Sequence, residues 1–470
     1  MEFHSYSARM NGHTNGNVPK KTSSTMKIVS TVKAHTNDVL SVQWSGSSLA
    51  SGSADKSIRL WKAAGSNGHQ VELKEPNFSP IKEHLGHVHC VTFSSFGTLL
   101  VTCGSDGRVI IWDANTGDQI AVAVFPSSNR SALRCCRVSH DSKLIAAAGD
   151  GDVIALWTFD KTSGNLTLQK VFSGHDATIT SICFTHNSTL LLSASIGNDI
   201  RVWDCVNLSD QSLCVWRDAH DLGCSCMDLA PYKLQLSNDV SAYHVATGGY
   251  DNIIRVWHLV DRTQKTAVKL LPGGSQLLGH SSDICSLRFA HHAKLLVSCS
   301  SDRTLIVWDP VRSSMLHRVG PVSKYYIRSV CFSSEDRFVM AGFSGGMIGF
   351  WALAVTEDSA EQNGDLPSPT LTINRSLEDP ALQLQFLEDL KIPDEFVCPI
   401  TQEIMRDPHV AFDGVSYEKE AIQAWLKTHD TSPQTNLVLP ATTIISNQNL
   451  KCLINRWAES KGKNGSKKLL

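Results

Sequence analysis

The stretch GHSSDICSLRFAHHAKLLVSCSSDRTLIVWD, residues 279–309, holds the features that decide the fold of this 470-residue chain. It opens with a Gly-His pair, continues through DICSLRF, where apolar and polar residues alternate, and ends with TLIVW, a β-branched run that stops at Trp308. Alternation over about four to eight residues is typical of a β-strand with one buried face. A unit of this kind cannot bury both faces of its sheet, so the sequence predicts further copies beside it.

Six further tryptophans end similar runs, and the seven are spaced by 51, 45, 46, 54, 51 and 43 residues: Trp61, Trp112, Trp157, Trp203, Trp257, Trp308 and Trp351. A Gly-His or Ala-His pair precedes five of them, at His35, His87, His175, His220 and His280. A period of roughly 40–50 residues that holds four short strands predicts one blade of a β-propeller. Seven blades around one axis would protect each other's edges.

These repeats resemble the WD-repeat family, with seven copies over residues 27–353. The resemblance implies a mainly β fold, a seven-bladed WD-repeat β-propeller. Residues 27–32, KIVSTV, precede the first complete copy. We expect this segment to supply the outer strand of the last blade and thereby to close the ring.

The resemblance also implies a buried hydrogen-bonded set of His, Ser or Thr, Asp and Trp in a blade. Four blades carry the whole set: His35, Ser51, Asp55, Trp61; His87, Thr102, Asp106, Trp112; His220, Thr247, Asp251, Trp257; His280, Ser298, Asp302, Trp308. Blade four has Gly197 at the Asp position, and blades three and seven have Ala147 and Ala341 at the Ser/Thr position. A catalytic His/Ser/Asp triad is the alternative interpretation, but a set that recurs four times favours a structural role.

Residues 392–460 form a second module, predicted to be a small α+β domain with two loops flanking a helix. Ala421, Ile422, Trp425 and Leu426 give that helix one apolar face. The module resembles the U-box, the zinc-free relative of the RING domain. The matching motifs are Phe396 with Cys398-Pro399-Ile400, Met405 with Asp407-Pro408, Gly414 with Tyr417-Glu418, Ile422 with Trp425-Leu426, and Ser432-Pro433-Gln434-Thr435 with Leu437. Thr401 stands where a second zinc-binding cysteine would be, so neither a metal nor another cofactor is expected.

The U-box resemblance implies a ubiquitin ligase that recruits a ubiquitin-charged conjugating enzyme without forming a covalent intermediate. Ile400, Trp425 and Pro433 would form the apolar site for that enzyme; the alternative is that these are core residues. Many family members place an Arg that clamps ubiquitin where this chain has Asn436, which lacks the charge and the guanidinium fork. Cys398 as a ubiquitin acceptor is disfavoured, because no His lies at a suggestive spacing.

The order of the modules resembles the family of WD-repeat, SAM and U-box domain-containing proteins, although the 39 residues between Leu353 and Pro393 are too few for a SAM module. The propeller would bind a protein substrate and the U-box would bring the conjugating enzyme and its ubiquitin. Two alternatives stay open. A non-enzymatic scaffold with a degenerate U-box is favoured by Asn436, and a substrate receptor for a cullin ligase is disfavoured because no W-D-x-R motif is present.

The 43 Lys and Arg residues nearly balance the 45 Asp and Glu residues, for a net charge of −2. This balance argues against binding to nucleic acid or to a membrane surface. No apolar run approaches the roughly 20 residues of a membrane span, and the first residues do not resemble a secretory signal. We expect an intracellular protein, cytoplasmic or nuclear, with a disordered N-terminus (1–26), a linker with a possible short helix (354–391) and a basic tail (461–470).

Overall fold

The computed structural model describes residues 23–66, 70–126, 131–237, 240–260, 269–292, 294–320, 325–356, 370–374, 396–401, 405–427, 429–434, 439, 441, 443–448, 450–451 and 453–454. The predicted helix of the linker, Asn436 and the basic tail lie outside the described residues, as do residues 1–22 of the predicted N-terminal segment.

Seven sheets follow one another along the chain, and each is built on four antiparallel strands in meander order. Blade one contains β2 (Val39–Ser45), β3 (Ser48–Ser53), β4 (Ile58–Ser66) and β5 (Gln70–Lys74). Blade two contains β6 (Val88–Phe93), β7 (Leu99–Gly104), β8 (Arg108–Asp113) and β9 (Gln119–Val124). Blade three contains β10 (Leu133–Val138), β11 (Leu144–Gly149), β12 (Val153–Asp160) and β13 (Asn165–Ser173). Blade four contains β14 (Ile179–Phe184), β15 (Leu190–Ser195), β16 (Ile200–Asp204) and β17 (Cys214–Trp216).

The remaining three blades repeat this order. Blade five contains β18 (Cys224–Ser237), β19 (Val240–Gly249), β20 (Ile254–Val260) and β21 (Lys269–Leu277). Blade six contains β22 (Ile284–Phe289), β23 (Leu296–Ser300), β24 (Leu305–Asp309) and β25 (Ser314–Val319). Blade seven contains β26 (Ile327–Phe332), β27 (Phe338–Phe343), β28 (Met347–Thr356) and, from the start of the chain, β1 (Ser23–Lys33). The long β18–β19 hairpin accounts for the wide spacing of 54 residues before Trp257.

The ring closes in two ways. The first strand of each blade contacts the first strand of the next, and β26 contacts β2. On the outside, β1 pairs antiparallel with β28, with Ser23 opposite Thr356 and Val32 opposite Ile348. The expected closure by the N-terminal segment is confirmed, and the closing strand begins four residues before the predicted boundary at residue 27. The seven-bladed fold predicted from the repeats is confirmed as well.

The hydrophobic core lies mainly between adjacent blades. Ala50 and Leu60 of blade one, for example, pack in one cluster with Val91 and Phe93 of blade two. The seven repeated tryptophans belong to this core and are at most 3% exposed. Apolar burial is therefore continuous around the ring, and no blade completes its core alone.

The predicted linker contributes one strand, β29 (Thr370–Asn374), which adds in parallel to β5 at the outer edge of blade one. The C-terminal module contains β30 (Pro408–Val410), β31 (Ser416–Glu418), α1 (Lys419–Leu426) and β32 (Ile445–Ser446). Its core contains Phe396, Cys398, Met405, Ala411, Tyr417, Ile422 and Ile454. No helix among the described residues has the length and apolar character to cross a bilayer.

Candidate functional site

Polar side chains form one buried chain of hydrogen bonds in each of five blades. In blade two, Trp112 Nε1 donates to Thr102 Oγ1 at 2.9 Å, Thr102 Oγ1 lies 2.8 Å from His84 Nε2, and His84 Nδ1 lies 3.0 Å from Asp106 Oδ2. An ionised carboxylate can only accept, so Nδ1 carries the imidazole proton and the Thr102 hydroxyl donates to Nε2. Each donor of this chain therefore has its acceptor in the next side chain.

The histidine of blade two is His84, and the prediction of His87 for this role was wrong. His87 is exposed, and its Nδ1 lies 2.6 Å from the Ala54 carbonyl oxygen. In all five blades the network histidine stands four residues before the first strand, as His84 stands before Val88. This spacing, and not the Gly-His pair, places the imidazole over the sheet.

Two further details differ from the sequence expectation. Blade four has a carboxylate after all, because Asp199 Oδ1 lies 2.7 Å from His175 Nδ1. Asp199 stands four residues before its tryptophan, where blades one and six place Ser57 and Thr304 beside the same imidazole nitrogen. In blade one, His35 bonds Ser51 and Asp55 as predicted, but Trp61 Nε1 has no hydrogen-bond partner among the described residues.

The networks of blades five and six join the residues that the sequence indicated. His220 lies 2.8 Å from Thr247 and 2.9 Å from Asp251, and Trp257 donates to Thr247. In blade six, His280 and Trp308 bond Ser298, and Asp302 lies 3.1 Å from His280 Nδ1. Burial is the largest influence and raises the pKa of Asp106, but the hydrogen bond and charge of His84, together with the backbone N–H groups of Leu85 and Arg108, outweigh it and lower that pKa to about 2.

These networks hold loops in place. Asp106 also accepts from the backbone N–H groups of Leu85 and Arg108, so it fastens the loop that leads into blade two. Blades three and seven have fully buried Ala147 and Ala341 at the hydroxyl position. They replace the whole polar set because a half-satisfied buried network costs more than an apolar one.

In the C-terminal module, the three residues predicted to bind a conjugating enzyme are all half-buried. Ile400 lies on the first loop and packs against the core of the module. Trp425 lies on α1, donates from Nε1 to the Thr431 carbonyl oxygen at 2.8 Å, and stacks on His429 with 4.2 Å between ring centroids. Its indole thus ties the helix to the second loop two residues before Pro433.

Glu418 holds the first loop where a RING domain would use zinc. Its carboxylate accepts from the backbone N–H of Arg406 at 2.6 Å and of Asp407 at 3.2 Å, and its own N–H donates to Cys398 Sγ at 3.1 Å. The Asp407 carboxylate continues the network to Lys451 Nζ at 2.7 Å, and this hydrogen bond lowers the pKa of Asp407. The Cys398 side chain is fully buried, so its thiol is not accessible to attack a thioester.

A second network holds the other loop. Tyr417 Oη donates to Asp413 Oδ2 at 2.8 Å, and the Val415 N–H donates to Asp413 Oδ1. The hydroxyl of the buried Ser432 also bonds this pair, and burial raises the pKa of Tyr417 to about 12. Within the described part of the chain, no three His, Cys, Asp or Glu side chains are grouped as metal ligands. The hydrogen bonds of Glu418 and of Asp413 and Tyr417 hold the two loops.

Glu418 directly precedes the first residue of α1, a position where a carboxylate commonly caps a helix. The backbone of Glu418 does cap α1, but its side chain makes no cap hydrogen bond and turns to the first loop instead. The signal for that role was a carboxylate on the residue directly before the helix and eleven residues after Asp407, a contact that periodicity does not reveal.

Comparisons with known proteins agree with this geometry. The family model of the U-box domain matches residues 392–463. The model of the WD domain, G-beta repeat, matches four segments, which are blades one, two, four and six: 26–62, 78–113, 166–204 and 274–309. The chain therefore contains WD repeats and a C-terminal U-box domain, an architecture like that of a U-box ubiquitin ligase.

The full arrangement is similar to that of three-part relatives. WD repeat, SAM and U-box domain-containing protein 1 of Danio rerio is 29% identical over 93% of this chain and 100% of its own length. The Homo sapiens protein of the same name is 29% identical over 93% of this chain and 99% of its own length. U-box domain-containing protein 33 of Arabidopsis thaliana is 54% identical over 14% of this chain and 8% of its own length. The resemblance seen in the motifs is thus confirmed.

Proposed function

We propose that the U-box binds a ubiquitin-charged conjugating enzyme through Ile400, Trp425 and Pro433 and promotes transfer of ubiquitin to a lysine of a protein held by the propeller. The observation that carries the proposal is the intermediate burial of all three side chains in a module whose other apolar residues include fully buried ones. Ile422, Cys398 and Tyr417 are 0% exposed. Each of these side chains is partly buried in the module and partly exposed to solvent, so a partner can bury the exposed part, as at an interface hot spot.

The two loop networks support this role because they fix the anchors before a partner arrives. Glu418 holds the loop that follows Ile400, and the Asp413–Tyr417–Ser432 set holds the residue next to Pro433. Binding then orders few additional groups, which favours affinity. Trp425 connects the helix to the second loop, so two of the three anchors are held together.

The chemistry would be positioning catalysis. Cys398 is buried and bonded, so the attacking group is the substrate lysine and the leaving group is the thiolate of the conjugating enzyme. The chain lowers the barrier by holding the two reactants close and in one orientation. The propeller contributes proximity for its bound protein, and the U-box contributes orientation of the charged enzyme.

A lysine-discharge assay tests the proposal. The full chain is mixed with each member of a panel of charged conjugating enzymes and free lysine, and loss of the ubiquitin thioester is followed. We expect at least one enzyme to discharge faster with the chain present, and Ile400→Ala to remove the acceleration. Ile445→Ala is the matched control, because Ile445 is 71% exposed on β32 and has no proposed role.

The scaffold function is the second candidate, favoured by Asn436 in place of a ubiquitin-clamping Arg. It predicts that conjugating enzymes bind through Ile400 but are not discharged faster. If the chain speeds up ubiquitin discharge from none of the conjugating enzymes, and Ile400→Ala leaves the discharge rates unchanged, the ligase proposal fails. Asn436→Arg should raise the discharge rate if the missing guanidinium is what limits transfer.

A further inference from the structure

The first strands of the seven blades surround the propeller axis, and their fifth residues occupy equivalent positions. The fifth residues of these strands form this channel ring: Gln43, Thr92, Arg137, Cys183, Asp228, Arg288 and Cys331. The third residues, on the same face of each strand, are all Ser or Cys: Ser41, Cys90, Cys135, Ser181, Cys226, Ser286 and Ser329. The third residues tie blades together, as when Val91 N–H donates to Ser41 Oγ at 3.2 Å.

Five members of the channel ring line one cavity of about 170 Å³, at the end of the channel where the first strands end. Arg137 comes from blade three, Asp228 from blade five and Arg288 from blade six, and His291 adds an imidazole. A water takes about 30 Å³ of liquid, so the space is that of roughly five or six waters. It exceeds what a tetrahedral oxyanion of five heavy atoms needs.

The two guanidinium groups use few of their donors on the protein. Arg137 donates from Nη1 to the Cys136 carbonyl oxygen at 3.0 Å, and Arg288 donates from Nη1 to the Leu287 carbonyl oxygen at 3.0 Å. Each guanidinium has five N–H donors. Asp228 Oδ1 lies 4.0 Å from Arg288 Nη1, and Asp228 Oδ2 accepts a hydrogen bond from the Phe289 N–H at 2.8 Å. Among the described residues, the cavity therefore offers unused donors from two directions.

The charges of the cavity do not balance. Two permanent cations face a single carboxylate in a confined space, and burial followed by the charge of Arg137 lowers the pKa of Arg288. An excess of buried charge is costly unless an opposite charge compensates it. Guanidinium pairs match phosphate oxygens particularly well, since planar forks bind them in bidentate fashion.

We propose that the propeller channel binds a phosphate group, free or as a small monoester, between Arg137 and Arg288. Asp228 would orient the Arg288 side chain, and Gln43 would line the same space. This site is independent of the U-box proposal, because it lies on the propeller axis and none of its residues belongs to the C-terminal module.

Cys90 is the alternative counter-ion for Arg137. Its Sγ lies 3.5 Å from Arg137 Nη1, and hydrogen bonding from Cys103 lowers the pKa of the Cys90 thiol. Cys90 is one of the third residues and does not line the cavity. A thiolate there would balance the charge of Arg137 from outside the cavity, while Asp228 faces Arg288. Replacement by serine removes any thiolate and keeps the size, which makes Cys90→Ser the direct control for this alternative.

The test is calorimetric titration of the full chain with inorganic phosphate and with glycerol phosphate, in chloride of matched ionic strength. We expect saturable binding of one phosphate per chain. Arg137→Gln and Arg288→Gln should each weaken binding by roughly tenfold or more, since each removes charge-assisted hydrogen bonds. Arg134→Gln should bind like the parent, because Arg134 is on the same strand as Arg137 but pairs with Asp150 on the exposed side. Cys90→Ser should also bind like the parent.

Binding of both probes identifies a monoester site, and binding of inorganic phosphate alone identifies the free anion as the ligand. Absence of saturable binding, or an equal loss in Arg134→Gln, overturns the proposal. Tighter binding by Cys90→Ser shows that the thiolate is the natural counter-ion and overturns it too. Urea midpoints without phosphate check that each variant is folded, and Arg137→Lys and Arg288→Lys replace any variant that is not.

Discussion

Replacing His84 by alanine should destabilise the propeller, while replacing His87 should not. His84 is 3% exposed and joins Thr102 to Asp106, so its loss leaves the fully buried Thr102 hydroxyl without an acceptor and the carboxylate short of one donor. A buried polar group without its partner costs about 1–3 kcal/mol, so we expect a total of about 2–4 kcal/mol for His84→Ala. His87→Ala removes an exposed ring and should change the free energy of unfolding by less than about 0.5 kcal/mol.

Urea unfolding followed by far-UV circular dichroism measures both effects, because nearly all strands belong to the propeller. The midpoint should fall for His84→Ala at an unchanged slope. Asp106→Asn combined with His84→Ala should cost less than the sum of the two single changes, since both break the same network. The reasoning is refuted if His87→Ala costs as much as His84→Ala.

Three further predictions concern closure, the U-box and acid. Val32→Asp should lower the free energy of unfolding by about 3 kcal/mol or more and make the chain more sensitive to proteolysis, because Val32 is 1% exposed in the closing strand. Lys27→Asp is the control and should leave stability unchanged, because Lys27 is exposed on the same strand. Glu418→Ala should lower the stability of the U-box by about 2 kcal/mol in thermal unfolding, whereas the exposed Glu420→Ala should not. Burial, together with His258, lowers the pKa of His244 to about 4. In the unfolded chain His244 binds a proton near pH 6.5, whereas in the folded chain it stays neutral until about pH 4. The free energy of unfolding should therefore fall by about 2 kcal/mol between about pH 7 and about pH 5, and His244→Gln should reduce this pH dependence.

Periodicity was sufficient for the architecture of the propeller. The seven tryptophans and the alternating runs predict seven four-stranded blades, and the leading strand predicts closure, because these features depend on local pattern and on the need to bury sheet faces. The strand β29 escaped prediction, since Thr370–Asn374 is a short run in polar sequence and pairs with an edge that is distant along the chain.

Side-chain partnerships were less predictable, for a geometric reason. A histidine, a hydroxyl and a carboxylate meet through loops whose lengths vary, so Asp199 replaces the expected position in blade four and His84 replaces His87 in blade two. The same holds in the U-box, where Glu418 contacts the first loop and Ser432 contacts Tyr417 across the module. Motif position indicated Ile400, Trp425 and Pro433, but their shared partial burial became visible only in the structure.

The most direct test of the account is the affinity of the full chain for a conjugating enzyme with and without its isoleucine anchor. Titration by isothermal calorimetry should show binding that Ile400→Ala weakens by roughly tenfold or more, the loss expected for a hot-spot residue, and that Ile445→Ala leaves unchanged. A panel of conjugating enzymes that all fail to bind the folded chain, or that bind Ile400→Ala as tightly as the parent, would contradict the account.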